Sequence, residues 1–262
     1  MHVTPSDLRM VRQDRIVVRF ALLDTMAFVI AEIPASGSHG TSLEEPCVRP
    51  HWGLVSAGEV EFECGGRSET VRAGSVFHVP AGGPSHRFLA GSAARIAGFE
   101  PLGADLDTTD SALIAQGFEV LHPEHLGAAN VIPAVVTPLP EPKQIDVRAW
   151  SMSSLVMTHA RFGQGSGYTM DWCDAPHWGL VTSGRIAIEW ENDIEILAAG
   201  DVYHCPAGPP GHRLEAADPA SVIDLTPVAA AQTARVAPWR VWPTGAASST
   251  SESAPIAVAG LG

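Results

Sequence analysis

Cys47, His51 and His86 are matched 126 residues further on by Cys173, His177 and His212. A thiolate with two imidazoles is a borderline-soft donor set that suits Zn(II), with Fe, Ni, Cu or Mn as the other candidate ions. Two residues before each cysteine stands a carboxylate, Glu45 in one set and Asp171 in the other, and strand alternation places it on the same face as the thiol. As a fourth ligand that carboxylate would close the site. As a general base it would serve catalysis beside an open position, and both roles stay open. Three protein ligands and a vacant position would lower the pKa of a bound water and polarise a carbonyl, which supports hydrolysis, isomerisation, cyclisation or decarboxylation. A straight strand would hold Cys47 and His51 about 13 Å apart. Pro50 and Pro176 therefore matter, because a proline-marked hairpin between thiol and imidazole would bring the two together.

Other residues recur with the set. His78 and His204 read either as groups that face substrate or steady a ligand, or as core histidines. Arg87 and Arg213 are candidates for a substrate carboxylate, the alternative being solvated or ion-paired surface arginines. Trp52 and Trp178 adjoin the ligand histidines, so alternation sends them to the opposite face, for packing. Cys64 and Cys205 have no repeated partner and read as buried thiols. A cysteine nucleophile activated by histidine, Cys47/His51 or Cys173/His177, is a competing use of the same side chains, but it leaves His86 and His212 without a role. Packing shared by two copies of an old unit is the plainer alternative.

The elements that must position these residues come in two copies. Residues 47–58 lie over 173–184 with 8 identities in 12, and 74–87 lie over 200–213 with 9 in 14, at one offset and without a gap. Alternating segments turn around a glycine at Leu54 to Glu63 and at Leu180 to Trp190. Further short strands are expected at Ile16 to Phe20, Ala27 to Ile33, Val76 to Pro80, Arg95 to Phe99, Ser154 to His159 and Val222 to Leu225. Charged residues are only 17% of the chain, whereas Gly (25) and Pro (21) are plentiful, which favours turn-rich β structure over long charged helices. Each copy is expected to be a sandwich or barrel. The expected domains are 1–136, a barrel plus connector, and 137–262, a barrel plus an Ala/Ser/Gly-rich tail. A short helix is expected over Ser111 to Gln116 in the linker, capped by Thr109-Asp110.

The spacing resembles the cupin superfamily, small β-barrels with a first motif G-x5-H-x-H-x3/4-E-x6-G and a second motif G-x5-P-x-G-x2-H-x3-N. Gly58 and Gly184 match the closing glycine of the first motif. Gly74, Pro80 and Gly82, with Gly200, Pro206 and Gly208, match the second. The resemblance covers roughly residues 15 to 102 and 141 to 228, and it implies an all-β chain of two tandem cupin-type jelly-roll barrels, a bicupin. At the family's histidine positions stand Glu45 and Cys47, or Asp171 and Cys173, and at its glutamate position His51 or His177. His86 and His212 come one residue late, so the resemblance carries the fold and not the family's reaction.

With 29 acidic against 16 basic residues the net charge is −13, which disfavours nucleic acid and anionic membranes as partners. No apolar run reaches the roughly 20 residues that span a bilayer, and the first residues carry no signal-peptide pattern, so a cytoplasmic protein is expected. The expected partner is a small organic molecule, with a homodimer as a further expectation. Two function classes follow: a metal-dependent enzyme, or a non-catalytic module that senses or stores a ligand or metal.

Overall fold

A computed structural model of the chain describes residues 2–13, 15–40, 49–82, 84–102, 119–121, 145–152, 154–164, 172–216 and 218–233. Glu45, Cys47, Asp171, the helix expected at 111–116 and the tail lie outside them. The chain divides into two compact units, Ser6–Leu126 and Gly127–Gly262, the latter together with Met1–Pro5. The boundary expected at 136/137 falls outside the described residues. The first five residues, assigned from sequence to the first domain, belong to the second unit, where His2–Val3 pairs antiparallel with Val202–Cys205. An edge strand leaves backbone N–H and C=O groups open to such an addition.

In the N-terminal unit a seven-stranded sheet runs in the order Glu119–Leu121, Val76–Val79, His51–Ala57, Ala94–Pro101, Met26–Ile33, Ile16–Leu23, Arg9–Gln13. Its partner sheet has the order Gly37–Gly40, His86–Ala90, Glu59–Cys64, Arg67–Arg72. Apolar residues of both sheets, among them Val55, Phe77 and Val79 from the larger and Val60, Phe62 and Phe88 from the smaller, form one buried cluster.

The C-terminal unit repeats the arrangement. Its six-stranded sheet runs His2–Val3, Val202–Cys205, His177–Ser183, Ala220–Pro227, Leu155–Phe162, Ile145–Met152, and the smaller sheet runs Ile194–Ala198, Arg185–Trp190, His212–Ala216. Val181, Tyr203 and Val222 from one sheet meet Ile186, Ile188 and Leu214 from the other in the core.

The turns that let each chain cross from the larger sheet to the smaller need glycine. Gly58 has φ 73° and Gly184 φ 69°, in the left-handed region that costs a non-glycine residue strain. A Cβ on Gly58 would stand 2.5 Å from the Ala93 carbonyl oxygen, and one on Gly184 would strike that of Pro219. The strands begin earlier than alternation alone indicates, at His51 and His177 rather than Leu54 and Leu180. The reason is Trp-Gly, where a glycine interrupts the apolar alternation without breaking the ladder. A six-residue helix, Val228–Thr233, follows the last strand. Among the described residues no helix is long and apolar enough to cross a membrane.

Candidate metal centre

His177 opens the central strand of the larger C-terminal sheet, flanked in register by Cys205. His212 opens the edge strand of the smaller sheet and pairs with Trp190 on one side. On its other side it forms an isolated bridge to Cys173, with Cys173 N donating to His212 O (2.8 Å) and His212 N donating to Cys173 O (2.9 Å). The chain therefore changes sheets between Cys173 and His177. The hairpin expected around Pro176 is instead a corner between two facing sheets, steadied by Gly208 N donating to Asp174 O. A corner brings thiol and imidazole together as a hairpin would, but from opposite walls of the barrel, with His212 joining the thiol's wall.

The donor atoms of Cys173, His177 and His212 lie within 4.8 Å of one another. Cys173 Sγ is 3.2 Å from His177 Nε2, and the two imidazole rings meet edge-on at 5.0 Å. Two donors on one tetrahedral zinc ion stand about 3.6 Å apart, from the usual Zn–S and Zn–N lengths. The cluster needs shifts of only a few tenths of an ångström at its closest pair. His212 Nδ1 is buried with no hydrogen-bond partner among the described residues, a costly state that a bound cation or ligand can relieve. The residues present fit a metal ion.

Behind His177 lies a buried polar network. Asp224 Oδ1 is 2.7 Å from His177 Nδ1, Thr226 Oγ1 is 2.8 Å from the same nitrogen, and the Tyr203 hydroxyl donates to Asp224 Oδ2 at 2.7 Å. Such a carboxylate fixes the imidazole tautomer and leaves Nε2 for the ligand side. Burial opposes a charge on His177, but the Asp224 carboxylate, with Cys173 adding to it, raises its pKa to about 10. Burial, with His177 and His204 nearby, lowers that of His212 to about 3, so it stands as a neutral imidazole.

The N-terminal barrel places His51 and His86 in the same way, rings 5.1 Å apart. Cys47, expected to join them, lies outside the described residues. Glu100 Oε1 approaches His51 Nδ1 at 3.1 Å. Burial works against that carboxyl's charge, yet His51, Arg49 and His39 hold it below the usual carboxylate range. His39, on the strand beside His86, has its own pKa lowered by burial.

The remaining candidates lie elsewhere. His78 and His204 pair in register with Trp52 and Trp178 and stack on them, at 4.8 and 5.3 Å between ring centroids. Alternation puts these histidines on the face opposite Phe77, Val79, Tyr203 and Cys205, so the described geometry directs them away from the barrel interior. Arg87 forms an ion pair with Glu63 at 2.6 Å, and Arg213 lies over the Trp172 ring at 4.2 Å. Cys64 and Cys205 are buried, and burial pushes the Cys205 thiol up. Sequence reasoning missed Asp224, Tyr203, Thr226, Glu100 and His39. One signal for Asp224 was available: an acid in phase with Val222 inside an apolar strand demands a buried partner.

No protein-family model and no curated protein matches this sequence. Solved structures do. The E. coli protein Ylba, of DUF861, is 11% identical with a TM-score of 0.65 over 86% of this chain and 89% of its own. A cupin 2 conserved barrel domain protein from Leptotrichia buccalis is 12% identical with a TM-score of 0.55, covering 87% and 96%. Oxalate decarboxylase from Bacillus subtilis is 14% identical with a TM-score of 0.61, covering 87% and 76%. The chain has the cupin fold, as two jelly-roll barrels on one polypeptide.

Proposed function

We propose that the C-terminal barrel is a metal centre held by Cys173, His177 and His212, with zinc the best-suited ion, and that the protein is a metal-dependent enzyme acting on a small organic molecule. The observation that carries this reading is the convergence of three donor atoms within 4.8 Å, drawn from two facing sheets, with a carboxylate behind one of them. An ion bound there would act as a Lewis acid toward a carbonyl or a coordinated water, supporting hydrolysis, isomerisation, cyclisation, decarboxylation or oxygenation. The thiolate favours the non-redox members of that set. The chain's own groups contribute beyond the ligands. Trp190 Nε1 and Thr158 Oγ1 are buried with no hydrogen-bond partner among the described residues, and both side chains face the same interior as Asp224. They are donors available to an acceptor oxygen of a bound molecule. The repeated motifs support an origin by internal duplication.

The test is metal analysis of protein purified without added metal, repeated on Cys173→Ala and His212→Ala. Retained zinc that is lost in both variants supports the reading, and metal-free wild-type protein overturns it. The chain Cys173, His177, Asp224 favours a second reading, a thiol nucleophile with its base and orienting carboxylate. That reading leaves His212 idle, and it predicts full turnover of a substrate by metal-free protein.

A further inference from the structure

The larger C-terminal sheet sets Tyr203, Gly179 and Asp224 side by side on three neighbouring strands. A Cβ on Gly179 would collide with the Tyr203 ring and hydroxyl. The bare glycine lets the ring lie across the central strand, so that the hydroxyl reaches Asp224 Oδ2 at 2.7 Å. The other carboxylate oxygen faces His177 Nδ1 at 2.7 Å and accepts from Thr226 Oγ1 at 3.3 Å. With both oxygens engaged and all four side chains buried, the carboxylate has one orientation, and it dictates that of the imidazole.

The N-terminal barrel supplies an internal control. Phe77 lies over Gly53 as Tyr203 lies over Gly179, with Phe77 Cζ 2.5 Å from where a Gly53 Cβ would stand. The position equivalent to Asp224 is Gly98. The aromatic ring and the central glycine are kept, while the hydroxyl and the carboxylate are absent. His51 relies instead on Glu100 at 3.1 Å, a carboxylate whose side chain is 27% exposed.

We propose that Tyr203 and Asp224 are positioning residues: Tyr203, laid across Gly179, locks Asp224 so that His177 presents Nε2 toward Cys173 and His212, and this relay sets the metal affinity of the C-terminal barrel. The inference rests on the reading of that cluster as a metal centre. Its test uses the full chain in a His86→Ala background, which removes an N-terminal donor, and compares the parent with Tyr203→Phe, Asp224→Asn and Asp224→Glu. Zinc affinity is read by chelator competition, and the nitrogen that His177 gives to the metal by nitrogen-15 NMR of zinc-saturated protein. Asp224→Asn is expected to weaken zinc about 10- to 100-fold and Tyr203→Phe about 10-fold, the range for groups that orient a ligand. Both should lose the single form in which Nε2 holds the metal and Nδ1 keeps its proton toward Asp224, and Asp224→Glu should recover part of the affinity. Affinity within twofold of the parent and an unchanged coordinating nitrogen in both variants would overturn the relay while leaving the metal centre standing. A lowered melting temperature with unchanged affinity overturns it equally, since that marks a purely structural role. A parent that binds no zinc removes the metal centre itself, and the relay with it.

Discussion

Phe62, Phe77 and Phe88 pack together inside the N-terminal barrel, with Phe62 and Phe88 stacked at 4.5 Å and Phe77 and Phe88 at 5.0 Å between centroids. The same places in the C-terminal barrel hold Ile188, Tyr203 and Leu214. Three phenyl rings fill the space beside His86, and Phe62 packs edge-on against that imidazole at 5.7 Å. The C-terminal exchange reduces two of the rings to aliphatic side chains and gives the third a hydroxyl. Trp190, at the place of Cys64, takes back part of the volume but stands beside His212 and carries a donor. One frame can thus be filled by packed rings or lined by smaller and polar side chains, depending on a handful of inward positions, since interiors are close-packed and any space for a ligand must come from smaller side chains.

The largest expected effect is on metal content. Cys173→Ala should remove the retained ion, with affinity falling at least about 100-fold, while His51→Ala and His86→Ala leave it in place. An ion lost with His86 and kept without Cys173 would reverse the comparison, making the N-terminal barrel the working one.

Acid should weaken both barrels next, through a different histidine in each. His78 is fully buried, neither ring nitrogen has a hydrogen-bond partner among the described residues, and burial, with His51 nearby, lowers its pKa to about 3. The unfolded chain binds this proton near pH 6.5 and the folded one does not. Stability linked to His78 is therefore complete above pH 6.5 and is lost as pH falls from there toward 3, at up to about 1.4 kcal/mol per pH unit. His212 adds a similar acid slope in the other barrel. The diagnostic is the part of the slope removed by His78→Phe, which keeps a ring on Trp52; denaturant titrations at pH 7 and pH 4 measure it, and an unchanged slope contradicts the assignment.

Smaller effects sharpen the comparison of backbones. Gly184→Ala and Gly58→Ala each force a side chain into the left-handed region and should cost about 1–3 kcal/mol. The C-terminal substitution should cost more, because its Cβ meets the Pro219 carbonyl at closer range than the Gly58 Cβ meets Ala93. Equal losses in thermal melts would mean that strain, not collision, dominates. The smallest effect expected is a gain: Phe77→Tyr with Gly98→Asp should transplant the relay and tighten zinc at the N-terminal site about 10-fold. The backbone accepts a side chain at Gly98, where a Cβ would stand in ordinary contact with the Trp52 carbonyl oxygen, at 3.5 Å.

The fold was largely legible in the sequence because it is written in local terms. Alternation around Gly58 and Gly184 marks the paired strands, and the repeated Gly-x5-Pro-x-Gly segments mark where each chain returns to deliver His86 and His212. The site was half legible. Repetition exposes Cys173, His177 and His212, whose spacing survives in both copies, but it hides Asp224, whose counterpart is Gly98, and Tyr203, whose counterpart is a phenylalanine. Residues that make one copy different leave no repeat signal. The corner at Asp174 to Pro176 was also out of reach, because a change of sheets and a hairpin share the same proline-marked sequence. The pairing of His2–Val3 with the second unit joins segments about 200 residues apart, a contact that no local pattern encodes.

X-ray absorption at the metal edge of the purified full chain tests the central claim most directly. One sulfur at about 2.3 Å with two imidazole nitrogens at about 2.0–2.1 Å is the predicted shell, with the sulfur lost in Cys173→Ala. A shell of oxygen and nitrogen alone in the wild-type protein would contradict it.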